Sequence, residues 1–148
     1  MRNEWSKLNN MQLNRYAKSF AKMELMSFDF ETFSADLEEN HIDFIAKRSD
    51  GLLMELQVLY TREIKYMLFR REDWISDIAR AYVLLIVFLE GKNPEAFLFP
   101  AISWKFPNEL IKMKRCLENR NEYGIFLSKQ NMRLLECYKL ETMLKQLL

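Results

Sequence analysis

The sequence predicts an α/β domain: a mixed central sheet of about five or six strands, with helices from the N- and C-terminal ends of the chain packed against it. Three observations carry that expectation. Leu13, Tyr16, Ala17, Phe20 and Met23 recur at helical spacing, which gives one apolar face to a helix over residues about 9 to 27. The stretch HIDFIAKRSDGLLMELQVLY, residues 41 to 60, reads as two apolar strands around a turn. The run YVLLIVFLE, residues 82 to 90, is too continuously apolar for a half-exposed strand and reads as a central one buried on both faces.

Composition sets the outer bounds. A chain of 148 residues is the size of one domain and long enough to bury a sizeable core. Hydrophobic residues make up 49%, enough to offset the entropy of folding and to exclude a disordered chain. With three Gly and three Pro, the chain is not loop-rich. A net charge of +1 removes the overall basic footprint of a domain that grips many phosphates. Cys116 and Cys137 stand in no CxxC and have no histidine at metal spacing, so they read as two buried thiols in a reducing cytoplasm. The first twenty residues lack the apolar centre of an export signal. The longest apolar run, residues 81 to 89, is about half of what a bilayer requires. The expectation is a soluble cytoplasmic protein.

The remaining elements follow in order. FETFSAD (30 to 36) alternates as a short strand, EIKYMLFR (63 to 70) as another, and REDWISDIARAY (71 to 82) fits a short helix. AFLFP (96 to 100) makes a strand stopped by Pro100. The stretch from Ser103 to Tyr123 shows no clear period, and GIFLS (124 to 128) reads as a last short strand. From Ser128, whose hydroxyl can cap, one helix carrying Leu134, Leu135, Tyr138, Leu140 and Met143 runs close to the C-terminus. Trp74 and Trp104 lie beside polar residues and are weighed as partner anchors against a core role. The best local basic segment is KMKRCLENR (112 to 120), read first as solvated surface and second as a phosphate contact.

The hairpin gives the site. In a three-residue loop Ser49-Asp50-Gly51, glycine takes the left-handed position at no steric cost. Arg48 then faces Leu52, and Asp43 faces Gln57. Alternation puts His41, Asp43 and Ile45 on one face with Leu53, Glu55, Gln57 and Leu59. Ile42, Phe44, Ala46, Met54, Leu56 and Val58 form the opposite, core-facing side. Acids and an amide therefore converge on one side of an otherwise apolar hairpin.

A helix, a strand, and a hairpin with an acid facing an acid or amide is the layout of the PD-(D/E)xK nuclease core. The chain resembles a family of small bacterial proteins of that nuclease-like superfamily. The resemblance runs from LNRYAKSFAKMEL through HIDFIAK, MELQV and EAFLFPAISW to EYGIFLSKQNMRLLE. It implies a restriction-endonuclease-like fold and a site where carboxylates hold Mg²⁺ through hard oxygen ligands beside an activating lysine. On this chain Asp43 matches the metal-binding aspartate and Gln57 the acid-or-amide position. Leu59 stands where the lysine belongs, and Ala17-Lys18 where relatives carry a first-helix glutamate. The resemblance thus implies a degenerate site of Asp43, Glu55, Gln57, Lys18 and Leu59, with Lys18 able to pair with Asp43 in place of a metal. The expected protein is an inactive binding or regulatory module without a cofactor, contacting protein or nucleic acid. The alternative is an active Mg²⁺-dependent DNA endonuclease whose amine is relocated to Lys18, Lys47 or Lys65. His41 neighbours Asp43 and is weighed as a proton shuttle against plain partial exposure.

Overall fold

The computed structural model describes residues 2–34, 42–70, 78–115 and 121–147. Helix α1 spans Asn10–Ser27 and opens on a reciprocal cap. The Asn9 side chain accepts the Gln12 N–H at 2.8 Å, and the Gln12 side chain accepts the Asn9 N–H at 2.9 Å, satisfying donors that a helix start leaves unpaired. Its inward stripe, Leu13, Ala17, Ala21 and Leu25, is fully buried. Two alanines at the middle of that stripe let the helix lie close on the sheet. Asp29, with φ 72°, then turns the chain into the first strand.

The strands are β1 (Phe30–Ser34), β2 (Phe44–Arg48), β3 (Leu53–Thr61), β4 (Tyr66–Arg70), β5 (Ala81–Val87), β6 (Glu95–Pro100), β7 (Ile111–Arg115) and β8 (Asn121–Phe126). Five make a mixed sheet in the order β1-β2-β3-β5-β6, and three make a second, antiparallel sheet in the order β4-β8-β7. Within the large sheet only β3 and β5 run parallel. Every residue of β5 is buried, as a strand covered on both faces requires. Its alternation divides two cores: Tyr82, Leu84 and Ile86 join α1 on one side, and Val83, Leu85 and Val87 join the small sheet on the other.

The C-terminal segment differs from the expected single helix. It forms α2 (Met132–Glu136) and α3 (Leu140–Gln146), with the chain wrapped round the edge of β6 between them. There Leu98 N–H donates to the Tyr138 carbonyl at 2.7 Å, and Phe97 bridges to Lys139. Leu135 of α2 packs in the second core and Leu140, Met143 and Leu144 of α3 in the first. The wrap also covers an edge strand that would otherwise present open pairing groups. Ser128 takes part in the turn before α2 as a cap partner of Asn131: its hydroxyl accepts Asn131 N–H at 3.3 Å, and Asn131 Oδ1 accepts Ser128 N–H at 2.8 Å.

Two further expectations need correction. The expected helix over 71–82 does not extend to its end: residues 78–80 are a turn and Ala81 begins β5, with Tyr82 in the strand as the apolar run had it; residues 71–77 of that expected helix, Trp74 among them, lie outside the described residues, as do His41 and Cys116. Of the two readings weighed for Trp104 the core one holds: it is 2% exposed, with its indole N–H on the Gly124 carbonyl at 3.3 Å. Cys137 is exposed rather than buried, because it sits on the outside of the wrap round β6. Among the described residues, no helix is long and apolar enough to cross a membrane.

Candidate functional site

Gly51 fixes the hairpin. Its φ is +98°, and its N–H donates to the Arg48 carbonyl at 2.9 Å, while Arg48 N–H donates to Leu52 at 2.9 Å. A residue with a side chain is strained in that conformation. Arg48 reinforces the turn with two bonds to the Asp50 carboxylate, 2.9 and 2.7 Å, and lies over the Phe30 ring. That guanidinium, and then the Leu52 N–H, hold the Asp50 carboxyl below its ordinary value.

From this turn the register runs Ala46↔Met54 and Phe44↔Leu56, and Asp43 N–H continues it to the Leu56 carbonyl at 2.8 Å. Asp43 therefore stands across from Gln57, the pairing read from the loop length. Ile42, Phe44, Ala46, Met54, Leu56 and Val58 are buried, while Ile45, Leu53, Glu55, Gln57 and Leu59 are half-buried on the opposite side.

Asp43 ends the hairpin with both carboxylate oxygens engaged. Oδ2 accepts the Val58 N–H at 2.7 Å, one residue past Gln57 on β3. Oδ1 lies 3.2 Å from the Lys18 ammonium, the side chains being 22% and 40% exposed respectively. Lys18 reaches this point because Ala17, beside it, is pressed onto the sheet. One turn later on α1, Lys22 sets its ammonium 5.5 Å from the centre of the Phe44 ring. The helix thus presents two successive cations to the start of β2.

The other expected residues lie along β3. Glu55 is level with Ile45 on β2 and Ala81 on β5, and its N–H donates to the Arg80 carbonyl at 2.7 Å. Gln57 is level with Val83. Leu59, level with Leu85, is partly buried against the second core. Lys47 is exposed toward the turn, across from Glu31 and Leu53, and lines a surface recess with Asp29, Arg48 and Ser49. It stands four positions along the chain from Asp43, about 13 Å. Lys65 is exposed between β3 and β4, its carbonyl accepting Leu127 N–H. Of the three lysines weighed, the structure brings Lys18 to Asp43.

Sequence reasoning missed Asn131, which organises the far end of the second core. Its side-chain amide donates to the carbonyls of Phe126 at 2.6 Å and Glu109 at 3.2 Å. The signal was the pairing of Ser128 with an amide three residues later.

No protein-family model matches the chain, and no curated protein matches it. Among solved structures the chain is similar to Hjc of Archaeoglobus fulgidus, described as a Holliday junction resolvase from an archaeal hyperthermophile. The TM-score is 0.50, with 11% identity over 81% of this chain and 87% of that one. At such identity the likeness is one of fold. The mixed five-stranded sheet with its flanking helices matches a resolvase-type, restriction-endonuclease-like fold.

Proposed function

We propose that this protein is a catalytically inactive nuclease-like module of the cytoplasm, acting by binding rather than cleavage, with Lys18 in the place of a divalent ion at Asp43. The observation that carries this reading is the contact of 3.2 Å between the Lys18 ammonium and Asp43 Oδ1. Mg²⁺ requires several hard oxygens in near-octahedral array. At Asp43 one oxygen is committed to Val58 N–H and the other to a cation. Binding a divalent ion there means expelling an ammonium that repels it, so the donor set fits the metal poorly. Among the described residues, no group of three His, Cys, Asp or Glu side chains is placed to hold a metal.

Leu59 supports the same reading. By the resemblance it stands where the superfamily carries its catalytic amine, and it packs against apolar neighbours, where it can neither donate a proton nor stabilise charge. The partner of such a module is nucleic acid or protein. The archaeal neighbour's description names a Holliday junction resolvase, so a four-way DNA junction is the first ligand to try.

The test is a Mg²⁺ titration followed by thermal shift, with cleavage of linear and four-way DNA measured in parallel. The expected result is no metal-dependent rise in Tm and no cleavage by the natural chain. Replacing Lys18→Glu together with Leu59→Lys should introduce stabilisation by Mg²⁺. Metal-dependent cleavage by the natural chain, abolished in Asp43→Ala, would overturn the proposal in favour of an active Mg²⁺-dependent endonuclease using Lys18 as its relocated amine.

A further inference from the structure

The outer face of the small sheet carries an aromatic and cationic platform that the Asp43 site does not use. β8 is its middle strand. Tyr123 and Ile125 point inward to the second core, so alternation turns Gly124 and Phe126 outward. Tyr66, directly across from Phe126 on β4, stacks on it with ring centroids 3.8 Å apart and planes 23° apart. Lys112 of β7 places its ammonium 4.6 Å from the centre of the same Phe126 ring. Gly124 makes the arrangement possible. A Cβ there would lie 2.4 Å from the Tyr66 ring, so any larger residue would lift that ring off the strand.

The platform is open. Tyr66 is 43% exposed and its neighbour Leu68 is 48% exposed. Flat apolar surface held in water beside a cation is a binding surface for a planar group that also carries negative charge. Lys112 begins the basic strand KMKR, and Lys65, adjacent to Tyr66, is also exposed. The acid on this face, Glu122, is 9% exposed, with Arg70 and Lys114 its backbone register partners. Burial, and then the charge of Glu122, push the Tyr66 hydroxyl above its ordinary value, so the cation at the Phe126 ring is Lys112.

We propose that Tyr66, Phe126 and Lys112 form a docking surface for single-stranded nucleic acid. An unpaired base stacks on the exposed face of Tyr66, and the adjoining phosphate meets the Lys112 ammonium. Duplex DNA fits poorly, because its base faces are covered by one another. A positive groove with stacking rings is the general means of holding single strands. The surface lies across the second core from α1, so it stands whether or not the Asp43 site is inactive.

The test uses fluorescence anisotropy at low salt, with the full chain and a labelled oligothymidylate of about twenty nucleotides. The duplex of equal length and an abasic strand serve as competitors. The oligothymidylate should compete at least about tenfold better than either, and Tyr66→Ala and Lys112→Glu should each weaken binding about tenfold. Tyr66→Phe keeps the ring and should keep the affinity, which separates lost stacking from lost folding. Lys145→Glu makes the same charge change on α3, a layer away, and should alter affinity less than about twofold. Equal losses from Lys145→Glu and Lys112→Glu would reduce the effect to net charge and overturn the proposal. So would undiminished binding by Tyr66→Ala, or a preference for duplex. Self-association abolished by Tyr66→Ala, without oligonucleotide binding, would assign the platform to a second copy of the chain instead.

Discussion

Asp43 performs two tasks with one carboxylate, and the two can be separated by mutation. Its Oδ2 takes the Val58 N–H and its Oδ1 takes Lys18. A half-exposed ion pair contributes little, under about 1 kcal/mol, so Lys18→Met should cost no more than that. Asp43→Ala also strips the Val58 amide of an acceptor and should cost about 1–2 kcal/mol. The double variant should cost less than the sum, by about 0.5 kcal/mol, in urea unfolding. Strict additivity would mean that the two charges are neighbours without coupling. The resemblance suggested this pairing by setting Ala17-Lys18 at the first-helix position, whereas loop length and strand alternation, which fix register locally, gave Asp43 opposite Gln57. The exposure of Cys137 was not legible. It depends on how the chain later crosses a distant strand, and nothing in the adjoining residues records that.

Among the elements, the hairpin and the C-terminal helices make opposite lessons. The hairpin signals itself: glycine at the left-handed position, an acid at the turn, apolar alternation on both sides. Its Arg48–Asp50 pair also gives the turn a pH dependence. Asp50 binds a proton less tightly folded than unfolded. The pair's support is therefore present above the ordinary carboxyl value of 3.8 and is lost as pH falls through the lower folded value. Amide exchange at Gly51 and Leu52 should accelerate, relative to amides of β5, as acid is added across that window. Asp50→Asn should remove this pH dependence; its persistence in that variant would place the titrating group elsewhere. The C-terminal helix, by contrast, reads as continuous because Leu134, Leu135, Leu140 and Met143 keep one helical period. No Gly or Pro marks the break at Cys137–Lys139. The break exists because β6 offers Leu98 N–H to the Tyr138 carbonyl, a tertiary hydrogen bond overriding local propensity. The stretch before β8 was unreadable for a related reason: β7 is an edge strand in which Lys112 and Met113 are both exposed beside buried Ile111, so it shows no apolar alternation to detect.

At the scale of the molecule, the α/β class and the central position of β5 were legible, since a strand buried on both faces must be apolar throughout. The division of the eight described strands into two sheets was not. It is set by pairings between segments far apart in the chain, and local pattern carries no information on them. The separation is large: β4 finds its partner β8 with Tyr66 opposite Phe126, after the rest of the five-stranded sheet has been laid down in sequence. A polypeptide emerging from the ribosome thus lays α1 on the sheet early, while both cores wait for late segments, α3 for the first and β8 for the second. Until β8 is made, Val83, Leu85, Phe97 and Phe99 lack Tyr123 and Ile125 from their cover, and a nascent chain in that state is a natural client for chaperones. A fragment ending at residue 110 should accordingly bind a hydrophobic dye and be cut rapidly by protease, while the full chain resists both. A fragment as resistant as the full chain would show that the late strands are ornament to a fold already finished.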